Sequence, residues 1–323
     1  MIRYLLPRDG HFYRANLHCH STDSDGHFTP EELVKGYCAQ GYSILAITDH
    51  NRFFDRSALC REDFLILNAF EYNHADYIPE HRTVHLGMIA RSPKIKEMPS
   101  LLAFPNCPVG TVDETFTASV NENIRRGSEA GFLTVLNHMR WSLDTEADVM
   151  AYRGMWAMEV FNHFSEVLGI EEFNLSSYLA KIRQGENLFG IMADDNHNLV
   201  GDLPRSLGNL EPWDFSFGGW IEVKAPELSY SAVISALERG DFYGSMGPRF
   251  EELYIEDGQL HVVCSPVRCI SVACNARRNL NQWSRNSSFT EAVFPLRDDM
   301  DFVVVTLTDN DGRRAVSQAY RLR

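Results

Sequence analysis

The sequence of 323 residues predicts an α/β fold followed by a small all-β, sandwich-like domain. Up to about residue 245, apolar segments of strand length alternate with amphipathic segments of helix length, as in strand–helix repeats. From residue 248 onward, short alternating segments with Asp-Gly turns and no helical period are typical of antiparallel sheets. We therefore predict two domains, residues 1–247 and 248–323. About seven or eight strand–helix units fit either a barrel or a doubly wound sheet.

The first strand–helix–strand unit is the most clearly marked. The segment "RANLHCH" predicts a strand that ends at His20. A helix is then predicted to begin after Thr29, an N-cap residue, with Pro30 at its first position, and to end at Gly41. The near-continuous apolar run "YSILAITDH" predicts a strand that is covered on both faces and ends at His50.

The later elements follow with less regular spacing. The segments "FLILNAFEYN" and "RTVHLGMIA" predict strands three and four, which a polar loop joins in place of a helix. Further strands are predicted in "FLTVLNHM", "WAMEVFNH", "LFGIMADDNH" and "WIEVKA", and helices in "VDETFTASVNENIRRGSEAG", "TEADVMAYR", "NLSSYLAKIRQGEN" and "SYSAVISALERGDF". The long loops at residues 91–112 and 198–218 are candidate lids, because loops of this length are seldom plain connections.

The composition restricts the class of protein. Hydrophobic residues make up 44% and charged residues 23% of the chain, which is ordinary for a globular protein. The net charge is −14, and the whole acidic excess lies before Met246, so we expect no binding to long nucleic acid. The sequence shows no signal-peptide pattern and no apolar stretch long enough to span a membrane, so we expect a cytoplasmic protein. Its seven cysteines include no C-x-x-C pair, so we expect reduced thiols. The oligomeric state is left open.

The segment "ANLHCHSTDSDG" places two histidines on one face of a strand. His18 and His20 lie two residues apart, so both side chains can reach the same ion, whereas Cys19 faces the other side. This pair alone is weak evidence for a metal. Further histidines and acids lie in or at the ends of other predicted strands: His50, Glu71, His85, His138, Asp195 and His197. Because parallel strands converge at their carboxyl ends, we expect one cluster, whose desolvation would be costly without a cation.

The segments "NLHCHSTDSDG", "ITDHN", "FEYN" followed by "VHLG", "LNHM" and "ADDNH" occur in this order between Asn16 and His197. They resemble the motifs of the polymerase and histidinol phosphatase (PHP) superfamily. The resemblance implies a distorted (β/α)7 barrel, similar to a TIM barrel, that binds two or three divalent ions. Imidazole and carboxylate ligands without a thiolate suit zinc, manganese or iron(II).

Carried over position by position, the resemblance implies three ion sites. One ion would be held by His18, His20, Glu71 and Asp195. Glu71 would bridge to a second ion held by His85 and His138, and the third would be held by Asp25, His50 and His197. Glu71, Asp195 and His197 are the candidate catalytic residues.

Such a centre suits hydrolysis of a small-molecule phosphate mono- or diester by a hydroxide that bridges two ions. Two alternatives stay open, a hydrolase of an amide or lactone and a protein that binds a metal or ligand without catalysis. Candidate phosphate-binding residues are Arg140, Arg52 and Arg205, and Trp141 is a candidate apolar wall. Asp49 and Asp194, each beside a predicted ligand, are candidate outer carboxylates that orient imidazoles, whereas structural roles are expected for Glu159 and Asn162.

Overall fold

The computed structural model of the chain describes residues 2–73, 81–111, 113–199, 210–277 and 279–323. These residues form two compact units. The larger unit comprises residues 14–220 and 228–231, and the smaller one comprises the segment up to Tyr13, residues 221–227 and residues 232–323. Three segments before residue 247 therefore belong to the same unit as the C-terminal residues: the segment up to Tyr13, residues 221–227 and residues 232–246. The predicted domain boundary at residue 247 stays a prediction.

The chain begins with a short strand of the smaller unit, β1 (Arg3–Tyr4). Seven strands of one mixed sheet then follow each other in chain order: β2 (His11–Asn16), β3 (Ile44–Ile47), β4 (Leu65–Tyr72), β5 (Leu86–Ala90), β6 (Phe132–Leu136), β7 (Ala157–Asn162) and β8 (Phe189–Ala193). The helices among the described residues are α1 (Pro30–Ala39), α2 (Glu114–Glu129), α3 (Glu146–Ala151), α4 (His163–Val167), α5 (Leu175–Arg183) and α6 (Tyr230–Arg239). The predicted α/β class is confirmed.

Strand direction in this sheet differs from the all-parallel arrangement expected from the repeats. β2, β3 and β4 pair in parallel, as do β6, β7 and β8, but β5 is antiparallel to both β4 and β6. An antiparallel pair needs no crossover helix between its strands, which agrees with the polar segment that the sequence shows between β4 and β5. No regularly closed barrel is found in the described segments. One isolated parallel bridge, Cys19 to Asn196, links the chain beyond β2 to the chain beyond β8.

Burial and capping explain why these segments form these elements. Every residue of β3, β5 and β6 is buried, as the continuous apolar runs predict. Thr29 and Glu32 form the reciprocal capping box of α1, whose Leu33 and Tyr37 pack into an apolar cluster with Ile47. The five-residue helix α4 was not predicted, because so short a segment shows no helical period.

The smaller unit contains two sheets that share one apolar core. Its further strands are β9 (Trp220–Ala225, of which Trp220 belongs to the larger unit), β10 (Phe242–Ser245), β11 (Phe250–Glu256), β12 (Gln259–Val267), β13 (Cys269–Ala273), β14 (Leu280–Trp283), β15 (Phe289–Pro295), β16 (Phe302–Thr308), β17 (Arg314–Val316) and β18 (Tyr320–Arg321). One sheet has the order β1-β11-β12-β15 and the other the order β14-β13-β16-β17-β10-β9, with β18 paired to β16. Leu253 and Phe294 of the first sheet belong to the same core cluster as Ile270 and Leu307 of the second.

The helices of the described residues are short compared with the thickness of a bilayer. The longest, α2, has 16 residues. Within the ranges given above, no helix combines the length and the apolar character needed to cross a bilayer.

Candidate metal centre

The structure brings all nine predicted metal ligands together at one end of the larger unit's sheet. His50 and His138 lie just beyond β3 and β6, Glu71 is the penultimate residue of β4, and Asp25 lies on the loop before α1. Each of the nine belongs to at least one group of three or four residues whose ligand atoms lie within 4.8 Å of one another. The arrangement is therefore suited to hold several ions, although metal binding itself stays a prediction.

His85 reaches this cluster for a reason that the sequence did not reveal. It lies directly before β5, not within the strand as predicted. Because β5 runs antiparallel to its neighbours, its beginning lies beside the ends of β4 and β6. His85 Nδ1 thereby comes within 3.2 Å of Glu71 Oε2.

The turn after β8 also has a special backbone. Asp195 has a φ of 55°, in the left-handed region, which aspartate tolerates better than most residues. Its N–H donates to the carbonyl oxygen of His18 at 2.9 Å, and the N–H of His20 donates to the carbonyl of Asn196 at 3.0 Å. The chain beyond β2 is thus fastened to the chain beyond β8, which places His18, His20 and Asp195 side by side.

The separations between ligand atoms match those of a metal centre. Two ligands at about 2.0–2.2 Å from one ion, in tetrahedral or octahedral geometry, lie about 3.0–3.5 Å apart. His18 Nε2 lies 3.2 Å from His20 Nε2, 3.2 Å from Glu71 Oε1 and 3.1 Å from Asp195 Oδ1. His50 Nδ1 lies 3.0 Å from Glu71 Oε2. These residues can therefore share ions without large movements.

Unsatisfied polar atoms provide a second test of whether a cation fits. Five buried atoms of the cluster form no hydrogen bond within the described part of the chain: His20 Nδ1, His50 Nδ1, His85 Nδ1, Glu71 Oε2 and Asp195 Oδ1. Buried polar atoms in native proteins nearly always have a partner, because an unpaired one loses its hydration without compensation. Divalent ions would supply partners to these atoms, so the donor set fits the cofactor that the sequence predicts.

The groups in the structure differ in part from the ligand sets that the resemblance implies. The implied set of Asp25, His50 and His197 is joined by His20. His138 groups with His18 and Asp195 instead of with His85, which groups with His50 and Glu71. Asp25 is the outlying member, with a side chain that is 55% exposed.

Electrostatic interactions keep the carboxylates of the cluster ionised. Burial alone would raise the pKa of Glu71, but His85, His18 and His50 around it lower that pKa well below its usual value. Burial lowers the pKa of His20 to about 4, with His197 and His50 adding to the shift. Burial likewise lowers the pKa of His85 to about 4. Burial alone would lower the pKa values of His50 and His138, but Glu71 and the other acids beside them raise these values to about 10 and about 9. Metal ions bind neutral imidazole and ionised carboxylate, so His50 and His138 would release protons when an ion binds.

The outer carboxylate that contacts a ligand histidine is Glu159, not Asp49 or Asp194. Glu159 Oε1 lies 2.7 Å from His18 Nδ1, and Glu159 Oε2 accepts the N–H of His138 at 2.7 Å. A signal for this role was present in the sequence, because Glu159 lies near the end of the predicted strand "WAMEVFNH", to which no ligand was assigned.

Asp49 and Asp194 instead anchor loops. Asp49 accepts hydrogen bonds from Ser21 and Ser24 and pairs with Arg56, which fixes the loop that carries Asp25. Asp194 accepts the Tyr37 hydroxyl at 2.8 Å and the backbone N–H groups of residues 217–219. In the described ranges neither carboxylate bonds to a ligand imidazole, so these contacts do not support the predicted role in orienting histidines, which stays a prediction.

A cavity of about 90 Å³ opens onto the cluster. Seven of the predicted ligands line it together with Trp141 and Phe164. Trp141 thus occupies the predicted place of an apolar wall, and Phe164 was not foreseen. A larger, mainly apolar cavity of about 440 Å³ lies elsewhere, beside Lys35 and Trp213, and none of the nine predicted ligands lines it.

Two of the predicted phosphate-binding arginines, Arg140 and Arg52, are not among the residues that line the cavity at the cluster. The guanidinium of Arg140 donates to Glu146 Oε1 at 2.7 Å and to Asn174 Oδ1 at 3.2 Å, away from the ligands. Arg52 is exposed to solvent. Arg205 lies outside the described residues. The positions of Arg140 and Arg52 therefore do not support the predicted role.

We predict that divalent ions stabilise the folded chain. An ion that binds only the native state at 100 times its dissociation constant adds about 2.7 kcal/mol to the free energy of unfolding. Scanning calorimetry of chelator-treated protein, before and after addition of Mn²⁺ or Zn²⁺, should show a Tm higher by several degrees with metal. The shift should shrink in His18→Ala. An unchanged Tm in the wild type would argue against a native metal site.

Comparisons with known proteins give short or distant similarities. No protein-family model matches the chain. A 5'-3' exoribonuclease of Haemophilus influenzae is 56% identical over 38 residues, which span 12% of this chain and 14% of that protein. The chain therefore matches only a small part of the length of that exoribonuclease.

Three solved structures are also similar. A two-domain protein of Bacteroides vulgatus, described as containing a predicted PHP-like metal-dependent phosphoesterase, is 14% identical with a TM-score of 0.45, over 99% of this chain and 98% of its own. A protein of Bifidobacterium adolescentis, described as a candidate metal-dependent phosphoesterase, is 17% identical with a TM-score of 0.35, over 65% and 95%. An amidohydrolase of Chromobacterium violaceum with bound sulfate is 20% identical with a TM-score of 0.34, over 61% and 98%.

The described residues thus combine a mixed α/β fold with a cluster of imidazoles and carboxylates whose ligand atoms are close enough to share divalent ions.

Proposed function

We propose that the chain is a metal-dependent phosphoesterase of the PHP superfamily that hydrolyses a small-molecule phosphate ester. One observation carries the proposal, the convergence of nine imidazole and carboxylate residues in which five buried ligand atoms form no hydrogen bond. Their separations fit shared coordination of ions. We propose two or three zinc, manganese or iron(II) ions, a distorted (β/α)7 barrel closed near the Cys19–Asn196 bridge, and a cytoplasmic location.

Bound divalent ions would supply positive charge for the phosphoryl oxygens and would lower the pKa of water toward neutrality. The residues of this chain prepare the ligands for that task. Glu159 accepts the Nδ1–H of His18, so the lone pair of Nε2 faces His20, Glu71 and Asp195. Asn137 donates to Glu71 Oε1 at 2.6 Å, which leaves Oε2 for an ion.

Asp195 is oriented in the same way. Asn162 donates its amide N–H to Asp195 Oδ2 at 3.2 Å, and Oδ1 is left without a hydrogen bond among the imidazoles. Because Asn162 also donates to Glu159 Oε2 at 2.9 Å, one amide connects the carboxylate behind His18 to a predicted ligand. Trp141 and Phe164 line the cavity with apolar surface, which lowers the local polarity beside the ligands.

The test is hydrolysis of p-nitrophenyl phosphate and bis(p-nitrophenyl) phosphate by protein loaded in turn with Mn²⁺, Zn²⁺ or Fe²⁺. We expect metal-dependent release of nitrophenol by the wild type and its loss in His18→Ala, because His18 Nε2 contacts three other ligand atoms. A nitrophenyl carboxylic ester, a lactone and a short 5'-phosphorylated RNA serve as further substrates. Turnover of the carbonyl compounds alone, with metal bound, would contradict a phosphoesterase.

A further inference from the structure

Two aromatic side chains border the cavity at different parts of the ligand cluster. The ring of Trp141 lies edge-on to those of His85 and His138, with centroid separations of 5.2 and 5.0 Å. The ring of Phe164 stacks on His197 with centroids 4.6 Å apart and planes at 29°. Substrate that approaches the ligands through this cavity therefore passes beside aromatic surfaces.

The position of Trp141 is fixed by a buried carboxylate. Glu172 is fully buried, and its Oε2 accepts the N–H of Trp141 at 2.9 Å while Oε1 accepts the N–H of Arg140 at 2.8 Å. Asn174 also donates to Glu172 Oε1 at 2.7 Å. Because the carboxylate has three donors, the turn after His138 is held in one conformation, and Trp141 is placed before any substrate binds.

Phe164 is positioned just as firmly. It lies in the first turn of α4, where its N–H donates to the carbonyl oxygen of Asp194 at 2.9 Å. Asn162 caps this helix by accepting the N–H of Ser165 at 3.0 Å. The ring of Phe164 also packs against Phe215, with centroids 5.5 Å apart.

The cavity is small, and no lysine or arginine side chain of the described residues lines it. Its volume of about 90 Å³ is well below the roughly 300–1,000 Å³ of sites that enclose drug-sized ligands. We therefore expect the cavity to admit the free oxygens of one phosphoryl group more readily than a second bulky substituent on phosphorus. No described lysine or arginine lines it, so Trp141 and Phe164 are the surfaces left to contact the leaving group.

We propose that the substrate is a phosphate monoester whose leaving group carries a flat, uncharged ring within a few bonds of the ester oxygen, held by Trp141 and Phe164. The proposal rests on the phosphoesterase function proposed above. In the reaction the oxygen of water forms a bond to phosphorus, the bond from phosphorus to the ester oxygen breaks, and a proton from water ends on the leaving oxygen. Stacking on well-placed aromatic rings favours a flat ring over a puckered one by about 3- to 10-fold.

The test compares benzyl phosphate with cyclohexylmethyl phosphate. Both esters release a primary alcohol, so their bonds to phosphorus are matched and the shape of the ring is the main difference. We expect kcat/KM of the wild type to be about 3- to 10-fold higher for benzyl phosphate. Phe164→Leu and Trp141→Leu should remove this preference, and Trp141→Phe should retain most of it. Trp283→Leu, at a 57% exposed tryptophan of β14, is the matched control and should leave both values unchanged.

A binding measurement separates this inference from the phosphoesterase proposal. Calorimetric titration of metal-loaded protein with benzylphosphonate and cyclohexylmethylphosphonate needs no turnover, and metal analysis of each variant confirms that the centre is intact. Tighter binding of the benzyl compound, lost in Phe164→Leu, supports recognition of the ring even if no ester is hydrolysed. Equal affinities together with equal rates for the two esters would overturn this inference and leave the phosphoesterase standing.

Discussion

Glu71→Gln is expected to reduce metal-dependent hydrolysis by on the order of 10³-fold, the largest effect predicted for this chain. Glu71 is fully buried, and its two oxygens lie within 3.5 Å of ring nitrogens of five histidines: His18, His20, His50, His85 and His138. Glutamine keeps the size of the side chain but removes the negative charge and places an N–H₂ group where a cation needs an acceptor. The rate is measured at saturating metal, with metal content determined on the same samples.

The control for this variant is Glu129→Gln on α2, where an exposed carboxylate pairs only with Arg125 among the contacts found. It should keep the wild-type rate and the wild-type metal content. If Glu71→Gln hydrolysed the ester at a rate within a few-fold of the wild type, the carboxylate would not be part of the reacting centre.

Glu159→Gln is expected to weaken metal affinity or activity by about 10- to 100-fold. Glu159 is not among the described residues that line the cavity at the cluster, and it contacts the centre through His18 and His138, so it is a positioning residue. The amide of glutamine can still accept from His18 Nδ1, but without a charge it stabilises that tautomer less and is a poorer acceptor for the N–H of His138.

A titration of metal against a competing chelator measures this effect apart from turnover. The apparent Kd should rise in Glu159→Gln, and a high metal concentration should restore much of the rate. Glu166→Gln is a matched comparison, because Glu166 holds the backbone N–H of Glu172 and not a ligand histidine. Equal metal affinity in Glu159→Gln and the wild type would show that the charged contact between Glu159 and His18 Nδ1 does not contribute to metal binding.

The histidines show how far the sequence could predict the centre. His18 and His20 were predicted on one face of a strand that ends at His20, because a strand repeats every two residues. The structure ends β2 at Asn16, so both histidines lie just beyond the strand, yet both reach the cluster. His50 and His138 were recognisable because each ends an apolar run, and the structure places both at the cluster. For Glu159 the sequence predicted only a structural role, because the residues next to a carboxylate do not show whether it contacts a histidine or is simply buried.

The arginines show where local reasoning fails. Arg140 follows His138 by two residues, yet its guanidinium pairs with Glu146 and Asn174. A long side chain goes to whichever carboxylate the folded chain brings near it, and Glu146 belongs to another element, α3. Phe164 was missed for the same reason, because its place beside His197 depends on a helix too short to show a period.

The sequence by itself determined the α/β class and the start of α1 after Thr29, and it supplied the nine residues of the candidate centre, with Asp25 among them only through the resemblance. The class and the helix start follow from local periodicity and capping chemistry, which are properties of neighbouring residues, whereas Asp25 was assigned from the order of motifs along the chain. Only the tertiary structure decided the reversed direction of β5, the grouping of His20 and His138, the partner of His18 and the aromatic walls of the cavity. Those depend on contacts between residues far apart in the chain, whose distances are set by how the strands pair and pack.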